Sequence, residues 1–73
     1  ISPEQCRAAR GWLNISQADL ARDACVGLST VRGFEGGLKK PITNNLAAMQ
    51  RALEVRGIVF GNDSIAFRSP KDS

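Results

Sequence analysis

Residues 17–37 of the chain have the sequence QADLARDACVGLSTVRGFEGG, and this stretch decides the fold. Apolar residues recur at helical spacing on both sides of Cys25-Val26-Gly27, which predicts short helices over residues 17–24 and 28–35 joined by a tight turn. Gly36 and Gly37 provide the left-handed backbone that commonly ends a helix. Two short helices joined in this way form a helix-turn-helix.

Two further helices are predicted to flank this pair. Ser2-Pro3-Glu4-Gln5 provides a cap, a proline suited to the first helical position and a glutamine at the capping-box position, so a helix is expected over residues 3–12. Ile42-Thr43 is an apolar residue followed by a possible cap, so Thr43 is predicted to cap a helix over residues 44–56. Trp12 is expected to cover the edge of the core.

Beyond the last helix, two short runs of β-branched and aromatic residues are separated by the turn-forming sequence Gly61-Asn62-Asp63-Ser64. They predict a β-hairpin over about residues 58–68, followed by a polar tail at residues 69–73. The predicted fold class is therefore mainly α: a single domain of four helices with a helix-turn-helix, ending in a small C-terminal hairpin.

Composition excludes several classes of function. The 73 residues contain no histidine, so Cys/His zinc sites and histidine-based catalysis are excluded, and no cofactor, metal site or enzymatic activity is expected. Cys6 and Cys25 lie among apolar residues and are predicted to be small buried hydrophobic side chains, with a disulfide between them as the alternative. No apolar run approaches the length of a membrane span and no signal peptide is visible, so a reducing, cytoplasmic location is expected. The net charge of +3 is compatible with a nucleic-acid partner.

The chain resembles the Cro and phage-repressor (XRE-type) family of helix-turn-helix domains, over about residues 2–53. The residues that carry the resemblance are Ser16, Gln17, Ala18, Asp19, Leu20, Ala21, Val26, Ser29, Thr30, Val31, Phe34, Glu35, Gly37, Pro41, Leu46 and Leu53. The hairpin is similar to that of short bacterial or phage members. The resemblance implies a transcriptional regulator that places helix 28–35 in the major groove of a palindromic double-stranded operator and binds as a dimer.

The family pattern also implies contacts for particular residues. Gln17 is expected to bind a phosphate, Arg32 to contact a guanine, and Glu35 to make an internal structural contact rather than a DNA contact. Local capping by Ser29, packing of Leu28, and a phosphate or solvent contact for Arg32 are the alternatives. The complete set of candidate DNA-binding residues is Gln17, Leu28, Ser29, Thr30, Arg32, Lys39, Lys40 and Asn44.

Four positions depart from the family pattern. Cys25 stands where glycine is usual, at a position that often requires a positive φ, and Gly27 stands where serine or threonine is the common cap. Leu28 and Gly33 replace the polar or basic side chains that often contact bases. These departures keep a second hypothesis open, an antitoxin-like or regulatory module whose main partner is another protein.

Self-association is expected to involve the hairpin. An exposed edge strand can pair with a second copy of itself, and Ile58, Phe60, Ile65 and Phe67 would lie near such an edge. The alternative is that the hairpin only closes the core of its own chain. A homodimer through the hairpin is therefore one of two predictions for these strands.

Overall fold

A computed structural model describes residues 1–68 and contains four helices followed by two strands. The elements are α1 (Pro3–Leu13), α2 (Gln17–Ala24), α3 (Leu28–Glu35), α4 (Thr43–Val55), β1 (Ile58–Phe60) and β2 (Ile65–Phe67). The predicted fold class is confirmed. α2 and α3 have the predicted bounds, α1 extends one residue further, and α4 begins and ends one residue earlier. The predicted tail, residues 69–73, lies outside the described residues.

α1 and α2 both begin with a capping box. In α1 the Ser2 hydroxyl accepts a hydrogen bond from the Gln5 backbone N–H at 3.1 Å, and the Gln5 side chain accepts one from the Ser2 N–H at 2.8 Å. Ser16 and Asp19 form the same reciprocal pair at the start of α2, at 2.9 and 3.0 Å. Each box satisfies backbone donors that would otherwise have no partner in the helix.

α3 and α4 begin differently. Gly27 and Ile42 occupy the two cap positions in extended backbone, and no described side chain accepts a hydrogen bond from the first turn of either helix. The prediction that Thr43 caps α4 is wrong, because Thr43 is already the first helical residue. Both helix N-termini therefore keep backbone N–H groups without a side-chain cap.

α1, α2 and α3 end with the same left-handed motif. The residues with positive φ are Asn14 (58°), Cys25 (58°) and Gly37 (72°). After α3, for example, the Leu38 N–H donates to the Gly33 carbonyl at 2.9 Å, which is the long hydrogen bond of a Schellman motif. The prediction that Cys25 is buried is wrong, because a residue at this helix end lies on the surface, and Cys25 is exposed.

The core lies where α2 packs against α3 and α4, with α1 against α3. Ala21 is buried in α2, where its small side chain allows the neighbouring helices to approach closely. Trp12 is 64% exposed, so the prediction that it covers the core edge is wrong. The buried apolar residues are Cys6, Ala9, Leu20, Ala21, Ala24, Val31, Phe34, Met49, Leu53 and Ile58.

The hairpin lies with one face on the helices. β1 and β2 are antiparallel, and Ile58 pairs with Phe67 while Phe60 pairs with Ile65, so these four side chains share a face. Ile58 is buried in the core, and Phe60 and Ile65 pack against it. Val59 lies on the opposite face and is exposed. Most of the apolar surface of the hairpin therefore closes the core of its own chain.

Two local features hold the hairpin in place. The buried Gln5 side chain donates from Nε2 to the Gly61 and Ser64 carbonyls, at 2.7 and 2.9 Å, so α1 is tied to the hairpin turn. Gly57 has a φ of 104°, and a Cβ at this position would lie 2.5 Å from the Arg68 carbonyl oxygen. Only glycine fits where the chain enters the hairpin.

Candidate nucleic-acid interface

α3 has one buried side and one side directed to solvent. Val31, Phe34 and Glu35 are buried, whereas Ser29 and Arg32 are exposed. This alternation follows from the helical period of 3.6 residues, which places residues three or four apart on the same side. The exposed side carries a short hydroxyl and a guanidinium, both of which can form hydrogen bonds with base edges or phosphates.

Glu35 fixes the buried side of α3. Its side chain is only 2% exposed, and the Arg10 guanidinium donates to both carboxylate oxygens at 2.6 Å. The Gln17 amide and the Cys6 thiol also donate to it, at 3.0 and 3.1 Å. One carboxylate thus joins α1, α2 and α3, and the prediction that Glu35 makes an internal contact is confirmed.

In this group of contacting side chains, the Glu35 carboxylate is ionised and the Cys6 thiol is protonated. Burial by itself would raise the pKa of Glu35, but the hydrogen bonds from Arg10, Gln17 and Cys6 outweigh it and lower that pKa below its ordinary value. Burial, followed by the neighbouring Glu35 carboxylate, raises the pKa of the Cys6 thiol. The thiol therefore stays protonated at neutral pH and acts as a hydrogen-bond donor.

Gln17 is half-buried at the start of α2, with one N–H of its amide held by Glu35. An amide nitrogen has a second N–H, which can still bind a phosphate. The Ser16 N–H and hydroxyl lower the pKa of Asp19, which therefore carries a negative charge at the same helix end. That charge opposes an anion at the α2 N-terminus, so a phosphate contact there depends on the Gln17 side chain.

The N-terminus of α3 is surrounded by two hydroxyls. The Ser29 and Thr30 oxygens lie 3.7 and 3.8 Å from the position that a Cβ of Gly27 would occupy. The uncapped helix end carries partial positive charge, and the hydroxyls add donors beside it. Leu28, in contrast, is half-buried and packs against the core, which limits its contact with a base.

The remaining candidates follow α3 along the chain. Lys39 and Lys40 are exposed in the loop between α3 and α4, and Asn44 is exposed in the uncapped first turn of α4. The aliphatic part of Lys39 packs beside Gly33, within 3.4 to 3.6 Å of where a Cβ of Gly33 would be. The structure thus brings Lys39 to α3, and it brings Ser29 and Thr30 together.

The role of Arg10 was not predicted from the sequence. Arg10 is the cation that pairs with Glu35, and Arg7 donates to the Glu35 backbone carbonyl. The available signal was Glu35 itself, because a buried carboxylate requires a cationic partner or several donors. The sequence does not indicate which arginine supplies it.

No protein-family model matches the chain, and no curated protein matches it. Within residues 1–68, no helix is both long enough and apolar enough to cross a membrane. The same residues contain no cluster of three or more potential metal ligands among histidine, cysteine, aspartate and glutamate.

Proposed function

We propose that the protein is a sequence-specific DNA-binding transcriptional regulator that inserts α3 into the major groove. The observation that carries the proposal is the two-sided character of α3. Its inner side is fixed by the Glu35 carboxylate to α1 and α2, while its outer side presents Ser29 and Arg32. A reading helix requires this combination, because base contacts are specific only if the helix is held rigidly against its support.

The charges around α3 support the same proposal. Lys39 and Lys40 are exposed after its C-terminus, and the uncapped N-termini of α3 and α4 both favour anions. Lys40 and the two helix N-termini would bind phosphates on either side of the groove, with Asn44 at the start of α4 and Gln17 at the start of α2, while Lys39 lies beside α3 itself. Arg32 is the residue proposed to contact guanine O6 and N7.

Dimer formation is part of the proposal. The two-stranded sheet leaves the outer edge of each strand unpaired within the part of the chain that the structure describes. A second copy can add to such an edge, and the exposed Val59 lies beside it. Sedimentation equilibrium at micromolar concentration tests this. A monomer at all concentrations, with and without DNA, would contradict it.

A second candidate is a module that binds another protein. Leu38 is 82% exposed and Ile42 is 68% exposed, both in the loop between α3 and α4. Exposed apolar residues beside a charged pair are common at sites of protein association. In this alternative, DNA binding would be absent or would require the partner.

Selection from random double-stranded DNA with the purified protein distinguishes the two candidates. The regulator should enrich a palindrome whose half-sites are separated by about one helical turn, ~10 base pairs. Enrichment of no sequence would contradict the proposal and favour the protein-binding module.

Binding to single-base variants of the selected site then tests Arg32. Arg32→Ala should remove ~1–3 kcal/mol of discrimination at one base pair of each half-site. Arg51→Ala, which removes an exposed arginine of α4 outside the proposed surface, is the matched control and should leave the preference unchanged. An equal loss on every variant would assign Arg32 to a phosphate.

A further inference from the structure

The outer side of α3 has a gap that another part of the chain fills. Gly33 lies one turn after Ser29, on the side of the helix opposite to the buried residues, and offers no side chain of its own. Three carbons of Lys39 lie beside this space, at contact distance. Its Cβ, Cγ and Cδ lie 3.4, 3.6 and 3.6 Å from the position that a Cβ of Gly33 would take. Gly33 is consequently only half-exposed.

The backbone of the loop fixes this placement. Gly37 turns the chain with its positive φ, and the N–H groups of Leu38 and Lys39 both donate to the Gly33 carbonyl, at 2.9 and 3.1 Å. Two hydrogen bonds to one carbonyl hold the start of the Lys39 side chain beside α3. Less conformational freedom then remains to be lost when the ammonium group binds a ligand.

We propose that Lys39 is a base-contacting residue that substitutes for the missing side chain at Gly33. Its ammonium group donates to O6 and N7 of a guanine in the major groove, from the side of α3 that Gly33 leaves open. This inference rests on the proposed DNA-binding function and assigns a specificity-determining role to a residue outside the recognition helix.

The neighbouring Lys40 has a different environment. It is exposed and immediately precedes Pro41, and the three atoms nearest to the open position at Gly33 all belong to Lys39. A lysine that is not held beside the helix acts as a mobile positive charge and suits a phosphate. The two adjacent lysines thus form a matched pair: Lys39 packs beside Gly33 of α3, and Lys40 is expected to contact a phosphate.

Gly33 is necessary for the arrangement. A methyl group at this position would lie 3.4 Å from the Lys39 Cβ, at the boundary between ordinary and tight van der Waals contact, so it would press against the start of the lysine side chain. Alanine is also a better helix former than glycine. Gly33→Ala should therefore raise the melting temperature of the protein while it displaces the Lys39 ammonium group from its base.

The first experiment measures binding of the wild type, Lys39→Ala and Lys40→Ala to every single-base variant of the DNA site that the wild type selects. Lys39→Ala should abolish the preference for guanine at one position of each half-site, where the wild type discriminates about tenfold or more. Lys40→Ala should weaken binding to all variants by one common factor. A uniform loss for Lys39→Ala would overturn the inference, while the DNA-binding function would stand. If the wild type selects no DNA, the proposed function fails first and the inference fails with it.

A double-mutant cycle separates Lys39 from a direct effect of Gly33 on the DNA. Gly33→Ala is introduced into the wild type and into Lys39→Ala, and circular dichroism confirms that each variant folds. If Gly33 acts through Lys39, Gly33→Ala lowers the guanine preference in the wild type and has no further effect in Lys39→Ala. An equal loss of affinity in both backgrounds would show that the added methyl group itself obstructs the groove, and would overturn the inference.

Discussion

α1 and α2 begin with capping boxes, whereas α3 and α4 begin at Gly27 and Ile42, with no side-chain cap from any residue in 1–68. In the first pair, the backbone N–H groups of the cap residue and of the third helical residue are hydrogen-bonded to side chains of the chain itself. In the second pair they remain available to an external acceptor. The contrast separates a supporting half, α1 and α2, whose capping groups bond to one another, from a second half, α3 and α4, whose first-turn N–H groups are left for a ligand.

The long polar side chains follow the same division between the two halves. Arg10 extends from α1 to Glu35, and Gln5 extends from α1 to the hairpin turn, so long polar side chains of the supporting half bind within the chain. Arg32 and Lys40, in the other half, are exposed. Changes in the first half should therefore alter stability, and changes in the second half should alter DNA affinity; Gln17, whose second amide N–H is proposed to bind a phosphate, is the exception in the first half.

The largest effect is expected for Arg10→Met. This change leaves the Glu35 carboxylate buried without its cation, which should lower the free energy of unfolding by about 3–5 kcal/mol at pH 7 in urea titrations. Arg10→Lys retains the charge but loses the two-pronged contact, so its cost should be intermediate. Arg56→Met is the control, because the Arg56–Asp23 pair lies at the surface and should contribute less than about 1 kcal/mol.

The cost of Arg10→Met should also depend on pH. The pKa of Glu35 is lowered in the folded protein, so the stabilisation from the pair is complete above the ordinary glutamate pKa of about 4.3. It is lost as the pH falls through the lowered pKa of the folded state. The difference between wild type and Arg10→Met should therefore shrink below about pH 4. A constant difference across that range would contradict an ionised Glu35.

A medium effect is expected when a negative charge is placed at the N-terminus of α3, which has no side-chain cap. Gly27→Asp adds a carboxylate where a phosphate is proposed to bind, so affinity for the selected DNA should fall roughly tenfold, about 1.4 kcal/mol, while stability is kept or slightly raised. Gly27→Asn can cap the helix equally well without a charge and controls for capping alone.

Ser16→Ala is the complementary change at the N-terminus of α2, where it removes the capping side chain. Loss of the cap should cost about 1 kcal/mol of stability, with unchanged DNA affinity under conditions where the protein is folded. Fluorescence anisotropy and thermal melting measure the two quantities. If Ser16→Ala and Gly27→Asp affected affinity equally, the division between the two halves would be wrong.

The smallest effect is expected at Cys25, which has a φ of 58° at the end of α2. A left-handed conformation costs a residue with a Cβ about 1–2 kcal/mol, so Cys25→Gly should raise the free energy of unfolding, by about 0.5–1 kcal/mol after the greater freedom of the unfolded chain is subtracted. Cys25→Ala retains the Cβ and should give no such gain. Urea titration in reducing buffer compares the two variants, and equal stability would contradict strain at this turn.

Local signals in the sequence predicted most of the fold. Ser2 and Ser16 mark helix starts through contacts three residues away, and the left-handed requirement at Cys25 follows from the turn itself. The pairing of Arg10 with Glu35 could not be predicted in the same way, because it joins residues 25 positions apart and depends on how three helices pack. Composition alone does not distinguish a buried arginine from an exposed one.

The tertiary contacts, including those at the candidate site, were less predictable than the helices and strands. Trp12 was expected to cover the core edge, but it is 64% exposed, and its ring lies 5.7 Å from that of Phe67 in the hairpin. The position of Lys39 beside Gly33 depends on the loop backbone, not on a periodic pattern. Both results depend on tertiary geometry, and no residue spacing in the sequence predicts them.

Because the Gln5 side chain ties the first turn of α1 to the hairpin, these two segments are expected to unfold locally together. Its two hydrogen bonds span 56 and 59 residues, so they close nearly the whole chain into a loop. Contacts of such long range carry a large loop-closure entropy and favour late formation during folding. Amide hydrogens of β1 and β2 should therefore exchange together with those at the start of α1, at a lower opening free energy than the amides of α2 and α3.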